Sequence, residues 1–311
     1  MRSSGEMRCD AWRVMKGKWF WRLLAVAIVL QVVAYSANLL VSQAFSALSI
    51  TEIGDYVAAK ISAAQQGLSY SLPTTKAYCW MYCGLCFQMF IAYIFGAIFA
   101  FGFMGLLLKA RADDDNHWFT DSFGGFSRPL DVTWLLFLMN LRIALAALPG
   151  AFLGGLAAGI CYPLLSGGPF AMLGIGVIVA VAGALSLGCA LRAVYAFRQA
   201  WFIKNEKPET PASRCLAESR QMMEGHKMQA FALDVSFLGW ILLAVAMYIC
   251  SAVFGLSAQN FGAAAAGVSF FFGVAFFYLL VKVILGIAVS RAVFYRDLQS
   301  EMAADAAKGG E

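Results

Sequence analysis

Three basic residues, Arg142, Arg192 and Lys282, stand inside otherwise apolar stretches of a 311-residue chain. An ionisable group in such a run is costly to bury, faces protein or water, and marks a functional site by default. Asp234 is the natural counter-ion, and Gln31, Asn38 and Asn140 would extend the group into a polar seam. If the basic groups converge, they suit an anion such as a lipid phosphate or an acidic metabolite, or they line a water-filled path. Three plainer readings stand beside this one: structural ion pairing, a span three that begins near Arg142 and leaves Asp131–Asn140 as an interfacial helix, and long side chains that snorkel to the headgroups from near a helix end. At 1.5 Å per residue, Arg142 lies about 18 Å from Leu130 and Lys282 about 14 Å from Arg291, which puts both near mid-membrane.

Other reactive residue types carry weaker signals. Cys79, Cys83 and Cys86 fall at i, i+4 and i+7 on one helical face, a spacing from which thiolates bind zinc or an iron–sulfur cluster. No nearby histidine supplies a further ligand, and small apolar packing is the plainer reading. Asp113-Asp114-Asp115-Asn116-His117 sets three carboxylates beside a histidine without the spacing of a calcium loop; it reads as a solvated turn and helix start. His117 and His226 are the only histidines and sit in different segments. Neither a metal site nor a cofactor is expected. No nucleophile elbow or phosphate-binding glycine loop stands out, so no catalytic residue is assigned.

The elements that must position these residues follow from composition. Hydrophobic residues make up 61% of the chain and charged residues 13%, about half the charge of a soluble domain. A span needs about 20 mainly apolar residues, and six blocks qualify: Trp19–Phe45, Tyr78–Leu108, Leu130–Ile160, Phe170–Phe202, Phe231–Leu256 and Gly267–Val293. Their continuity and their alanine and leucine content indicate helices rather than alternating barrel strands. The fold class is therefore all-α, a polytopic membrane bundle of six transmembrane helices with short interfacial helices, in one domain over residues 1–311.

Charge orients the bundle. Eighteen Lys/Arg residues fall before span one, between spans two and three, between spans four and five, and after span six; only Lys60 and Lys76 fall on the other side. The positive-inside rule then places both termini in the cytoplasm. The first block follows eighteen residues and exceeds a signal-peptide core, so it reads as a retained anchor. The net charge of +5 is dispersed between apolar blocks, and nucleic acid is not an expected partner.

Between spans, Ser49-Ile50-Thr51-Glu52 has capping-box spacing and Ile50, Ile53, Val57 and Ile61 recur at helical intervals, which predicts a short separate helix. A turn is expected over Gly67–Pro73, and short loops near Gly167–Pro169 and Ala258–Ala266. Trp118, Phe119, Phe123 and Phe126 read as interfacial anchors. Thr210 and Pro211 open a short amphipathic helix that Gly225 closes, with Arg214/Glu218 and Arg220/Glu224 as i,i+4 pairs. Glu218, Arg220, His226 and Lys227 form a candidate interfacial segment there. Gly150-x-x-x-Gly154 and Gly155-x-x-x-Gly159 in span three allow close helix approach, within the bundle or in a homodimer.

With these landmarks laid out, the chain resembles an uncharacterised bacterial family of six-helix integral membrane proteins, a domain of unknown function. The resemblance rests on Met15–Trp19, Phe123-Gly124-Gly125-Phe126, Glu218–Lys227 continued by Leu233–Trp240, and Phe294–Leu298. That family in turn looks similar to the membrane domain fused to some glycerophosphodiester phosphodiesterases, whose catalytic domain is absent from this sequence. The resemblance implies an inner-membrane, inward-facing topology and no reaction. Nonenzymatic binding of lipid, a small anion or a partner protein is the first expectation. Transport is the second, and a membrane-embedded lipid-modifying enzyme the third.

Overall fold

The computed structural model describes residues 2–65, 75–114, 116–165 and 171–308, and among these the chain is helix and turn without strand. In chain order the helices are α1 (Ser4–Met15), α2 (Lys18–Gln65), α3 (Thr75–Ala112), α4 (Trp118–Asp121), α5 (Pro129–Leu165), α6 (Ala171–Phe197), α7 (Ala200–Glu206), α8 (Ala212–Met222), α9 (Lys227–Val235), α10 (Leu238–Phe261) and α11 (Ala263–Lys308). Six stretches are long and apolar enough to cross a membrane, and they correspond to the six expected blocks. The protein is an all-α polytopic membrane bundle.

The spans associate as three hairpins, α2–α3, α5–α6 and α10–α11, which hold the most extensive helix contacts. The α5–α6 hairpin then packs on α3 and α8, while α11 packs on α1 and α3. Side chains on the outer reaches of the spans are largely exposed: Leu39, Leu40, Phe152, Ile160, Val179, Leu256 and Phe270 are examples. Lipid tails are as apolar as these side chains, so facing outward costs them nothing.

The buried core lies at one end, on the face that carries both termini, here called the terminal face. Trp19 and Leu23 of α2, Leu106 and Leu107 of α3, Phe202 of α7, Leu216 of α8, and Val289 and Tyr295 of α11 form one cluster. Met7, Met223, Leu233, Phe237 and Phe294 form a second beside it. Length explains this position. The 46 residues of α11 rise about 69 Å at 1.5 Å per residue, against a hydrocarbon thickness of about 30 Å. The excess emerges as the centrepiece of a helical cap, where water is the alternative to burial and the hydrophobic effect drives packing.

Several boundaries differ from expectation. The helix of the fourth block ends at Phe197, and after a turn α7 buries Ala200, Trp201, Phe202 and Ile203 in the cap. The fifth block is broken into α9 and α10 at Ser236-Phe237, where the Ser236 hydroxyl donates to the Leu233 carbonyl at 2.7 Å and Phe237 is fully buried. Ser49–Glu52 opens no new helix, since α2 runs unbroken to Gln65 and meets no proline. The loop expected over Ala258–Ala266 shrinks to a turn at Gly262, whose φ of +67° lies in the left-handed region. The expected turns at Gly67–Pro73 and Gly167–Pro169, like Asp115, fall mostly or wholly outside the described residues.

One element has no counterpart among the expected ones. Residues 4–15 form α1, opened by a reciprocal capping box between Ser3 and Glu6. Met7, Ala11 and Met15 bury one face of it. Arg2 holds the start of this helix to Asp297 near the end of α11, with Nε 3.0 Å from Oδ2, and that hydrogen bond raises the Arg2 pKa above its ordinary value. Arg8 donates to the Ser236 carbonyl at 2.6 Å.

Candidate functional site

The residues singled out by charge do not gather into one seam. Asn140 donates its amide to the Tyr93 hydroxyl at 3.2 Å, between α5 and α3. Arg142 lies over the Phe197 ring at 5.7 Å; Phe197 ends α6 on the terminal-face side, so the guanidinium reaches back toward that face. Arg192 is exposed. Gln31 is exposed as well, and the Asn38 amide turns back to the Ala34 carbonyl of its own helix. Convergence would require the α5–α6 and α10–α11 hairpins to meet, whereas each packs on α3 and neither packs extensively on the other.

Asp234 does find basic partners, but different ones. Arg198 grips both of its carboxylate oxygens at 2.9 and 3.0 Å, the Tyr195 hydroxyl donates at 3.0 Å, and Arg291 lies 3.9 Å away. The cluster joins the break after α6 to the end of α9 and the emerging part of α11. Bidentate Arg–carboxylate geometry is the strong form of this contact, and the Arg198 side chain is only 5% exposed. It is a structural clamp. Its signal in the sequence was Asp234 itself; Arg198 and Arg291 were read as part of the orienting charge.

The amphipathic segment is α8, and it lies under the bundle. Ala212, Cys215, Leu216 and Ser219 are buried against α5, α6 and α7, and burial pushes the Cys215 thiol pKa up. Pro211, not Thr210, occupies the N-cap position. Glu218 pairs with Arg214 at 3.2 Å and with Lys207 at 3.3 Å. The expected Arg220/Glu224 pair does not form among the described residues, because the helix ends at Met222 and Glu224 lies beyond it. His226 contacts Gln229 at 3.2 Å and precedes α9 without capping it through its side chain, and Lys227 begins α9.

The glycine motifs are also partly used within the chain. A Cβ on Gly150 would meet the Ser186 backbone nitrogen at 2.6 Å, and one on Gly154 would meet the Ala182 Cβ at 2.0 Å, so this pair seats α6 on α5. Gly155 and Gly159 face open space. At the terminal face, a Cβ on Gly102 would fall 1.7 Å from the Ser122 carbonyl oxygen, and one on Gly125 would fall 2.5 Å from that of Ile98. Phe123-Gly124-Gly125-Phe126 is therefore a backbone-on-backbone docking motif against α3. Cys79, Cys83 and Cys86 are exposed free thiols, and no group of metal ligands assembles among the described residues.

Lys282 opens a different site. Ser251 and Ser269 exchange hydrogen bonds at 3.0 and 2.8 Å and fix the register of the α10–α11 hairpin. Counting thirteen residues from each serine places Lys282 level with Leu238, the first residue of α10. The twenty residues from Ala263 to Lys282 already rise about 30 Å, the thickness of the hydrocarbon. Lys282 thus stands beside the first turn of α10, on the terminal-face side of the α10–α11 hairpin. Its ammonium lies 5.4 Å from the ring centres of both Trp12 and Tyr278, a favourable cation–π position.

These groups line a cleft of about 720 Å³ between α1, the start of α2, α10 and α11, with Trp240 and Trp21 on its walls and Arg13 and Lys16 at its rim. Trp12 packs against Trp240 at 5.7 Å. Trp21 and Tyr278 are 69% and 53% exposed, so the cleft opens toward the lipid-facing side. Arg13 is held by Asp10 at 3.0 Å. Lys16 and Lys282 have no ion-pair partner among the described residues. The cleft combines aromatic walls with two lysines that lack an ion-pair partner among the described residues.

A family model described as "Protein of unknown function (DUF975)" matches residues 1–302. No curated protein and no solved structure matches the chain. None of these comparisons returns the expected phosphodiesterase-fused membrane domain.

Proposed function

Because the chain belongs to the DUF975 family of proteins of unknown function, a membership that names no reaction, we propose a role from its own cleft: nonenzymatic binding of an anionic lipid headgroup at the terminal face. The observation that carries this reading is Lys282, held between Trp12 and Tyr278 with no carboxylate paired to it among the described residues. Aromatic rings and lysines together match the chemistry of the headgroup layer. The excess of basic residues on the terminal face supports a cytoplasmic placement of that face, in a bacterial inner membrane. Membrane lipids are the partners this reading names, and a homodimer through α5 would use the open Gly155 and Gly159 face.

The test is purification in lipid nanodiscs followed by native mass spectrometry of retained lipids. Anionic lipid is expected to stay with the wild type and to be lost from Lys282→Met. Equal retention in both proteins refutes the reading. Orientation is checked separately with a cysteine at the exposed Glu224: labelling from the outside alone would reverse it. A second reading, transport, draws on the three hairpins being joined mainly through the cap, which leaves their outer reaches free to move apart. Flux of an anion into liposomes would favour it over binding alone.

A further inference from the structure

We propose further that the headgroup taken by this cleft is a phosphomonoester rather than a phosphodiester; the inference rests on the binding role above. The argument is a balance of charge within one cleft. Three basic side chains line it, on α1 and α11. Arg13 is already matched by Asp10, with Nη1 3.0 Å from Oδ1. Lys16 and Lys282 remain, with no ion-pair partner among the described residues. Two fixed positive charges are matched by a dianion and only half matched by a monoanion. A phosphate monoester carries about −1.5 to −2 charges at neutral pH, whereas a diester linkage carries one.

Residue type and shape agree with this choice. Both free cations are lysines, compact point charges that bind phosphate without the planar bidentate geometry of arginine. Lys282 lines the cleft from α11 and Lys16 from just past the end of α1, so the two lysines come from separate elements of one cleft. A diester sends a second substituent out from the same phosphorus. That substituent takes up room on the phosphorus and replaces an oxygen charge that the second lysine would meet, beside walls set by Trp12 and Trp240. A volume of about 720 Å³ lies within the roughly 300–1,000 Å³ range of small-molecule sites. It holds a headgroup and the first part of its tails, which leave past the exposed Trp21 and Tyr278 rings.

The experiment uses the full chain in phosphatidylcholine nanodiscs doped with equal amounts of phosphatidic acid and phosphatidylmethanol, which differ by one methyl on the phosphate. Bound lipid is quantified by native mass spectrometry. Phosphatidic acid is expected to exceed phosphatidylmethanol by about fivefold on the wild type, the scale of one added charge-assisted contact at a partly exposed site. The ratio should fall to about one in Lys16→Gln, while Lys282→Met should lose both lipids and Lys282→Arg should keep them. A folding defect would strike both Lys282 variants alike, so retention in Lys282→Arg guards the comparison. Equal binding of the two lipids to the wild type, with both lost in Lys282→Met, overturns the monoester preference and leaves the headgroup role standing. Lipid binding indifferent to Lys282→Met overturns both. Displacement of phosphatidic acid by free inorganic phosphate at comparable concentration would make the source a soluble phosphate and overturn the lipid assignment.

Discussion

Replacing Asp234 with asparagine tests whether the cap is clamped as described. In the wild type, one carboxylate answers two guanidiniums and a phenol: Arg198 at 2.9 and 3.0 Å, Tyr195 at 3.0 Å and Arg291 at 3.9 Å. The Arg198 side chain is 5% exposed, so it has no water to turn to, whereas Arg291 is 37% exposed and can hydrate. Removing one partner of a buried pair leaves an uncompensated charge and costs about 3–5 kcal/mol. Asp234 retains some solvent access, at 23% exposure, which points to the lower end, about 3 kcal/mol. Arg291→Gln removes only the long contact and should cost less than about 1 kcal/mol. The double variant Arg198→Met/Asp234→Leu removes both charges and should recover most of the loss, apart from about 1 kcal/mol for the stranded Tyr195 hydroxyl. The assay is unfolding by SDS in mixed micelles, followed by tryptophan fluorescence. If Asp234→Asn unfolds with the wild type, or if the double variant is no better than the single one, the clamp is not what holds α6, α9 and α11 together.

Two further outcomes follow from local geometry. Gly102→Ala should destabilise the protein by about 3 kcal/mol or more through overpacking, because its new Cβ would lie 1.7 Å from a backbone oxygen that cannot swing away. Gly124→Ala, with nothing within 4 Å, should be near neutral, and the same SDS titration compares them. Cys215 is buried and its thiol pKa is raised by burial, whereas Cys9 is exposed; alkylation at mildly alkaline pH should therefore mark Cys9 promptly and Cys215 only after unfolding, as read by peptide mass spectrometry. Prompt labelling of Cys215 in the folded protein would mean that α8 does not stay docked.

The number and approximate places of the spans were legible because their signal is local: a run of about 20 apolar residues needs no partner to be recognised. Their ends were not. Phe202 and Phe231 are as apolar as any span residue, and nothing in a window of sequence separates an apolar helix facing lipid from one buried in a cap. What separates them is a turn, at Arg198-Gln199 and at Ser236-Phe237, stabilised by contacts with residues far along the chain. The Gln199 backbone N–H meets the Ser219 hydroxyl at 3.2 Å, and that hydroxyl donates to the Ala196 carbonyl at 2.9 Å. The fairly specific Glu218–Trp240 stretch falls in this cap, where Ser219, Met223, Leu233 and Phe237 are buried.

The same distinction changes what Lys282 means. Measured from Arg291, it reads as a deep intramembrane charge, which assumes that the membrane ends where the first charged residue after the apolar run appears. The cap offers a different reading: Val283, Leu285, Val289, Ala292 and Val293 are apolar and buried among helices at the terminal face, and the function we propose sets the boundary near Lys282. A charge at that level needs no deep counter-ion and can face a headgroup. Trp12 then had to come from a helix that the sequence offered only as Met7, Ala11 and Met15 at intervals of four. That apolar stripe, with the capping-box spacing of Ser3 and Glu6 before it, marks an amphipathic helix in an otherwise basic, polar segment. The site therefore arises where an amphipathic helix before span one meets the emergence point of span six. Each half is visible in the sequence, and only the fold brings them together.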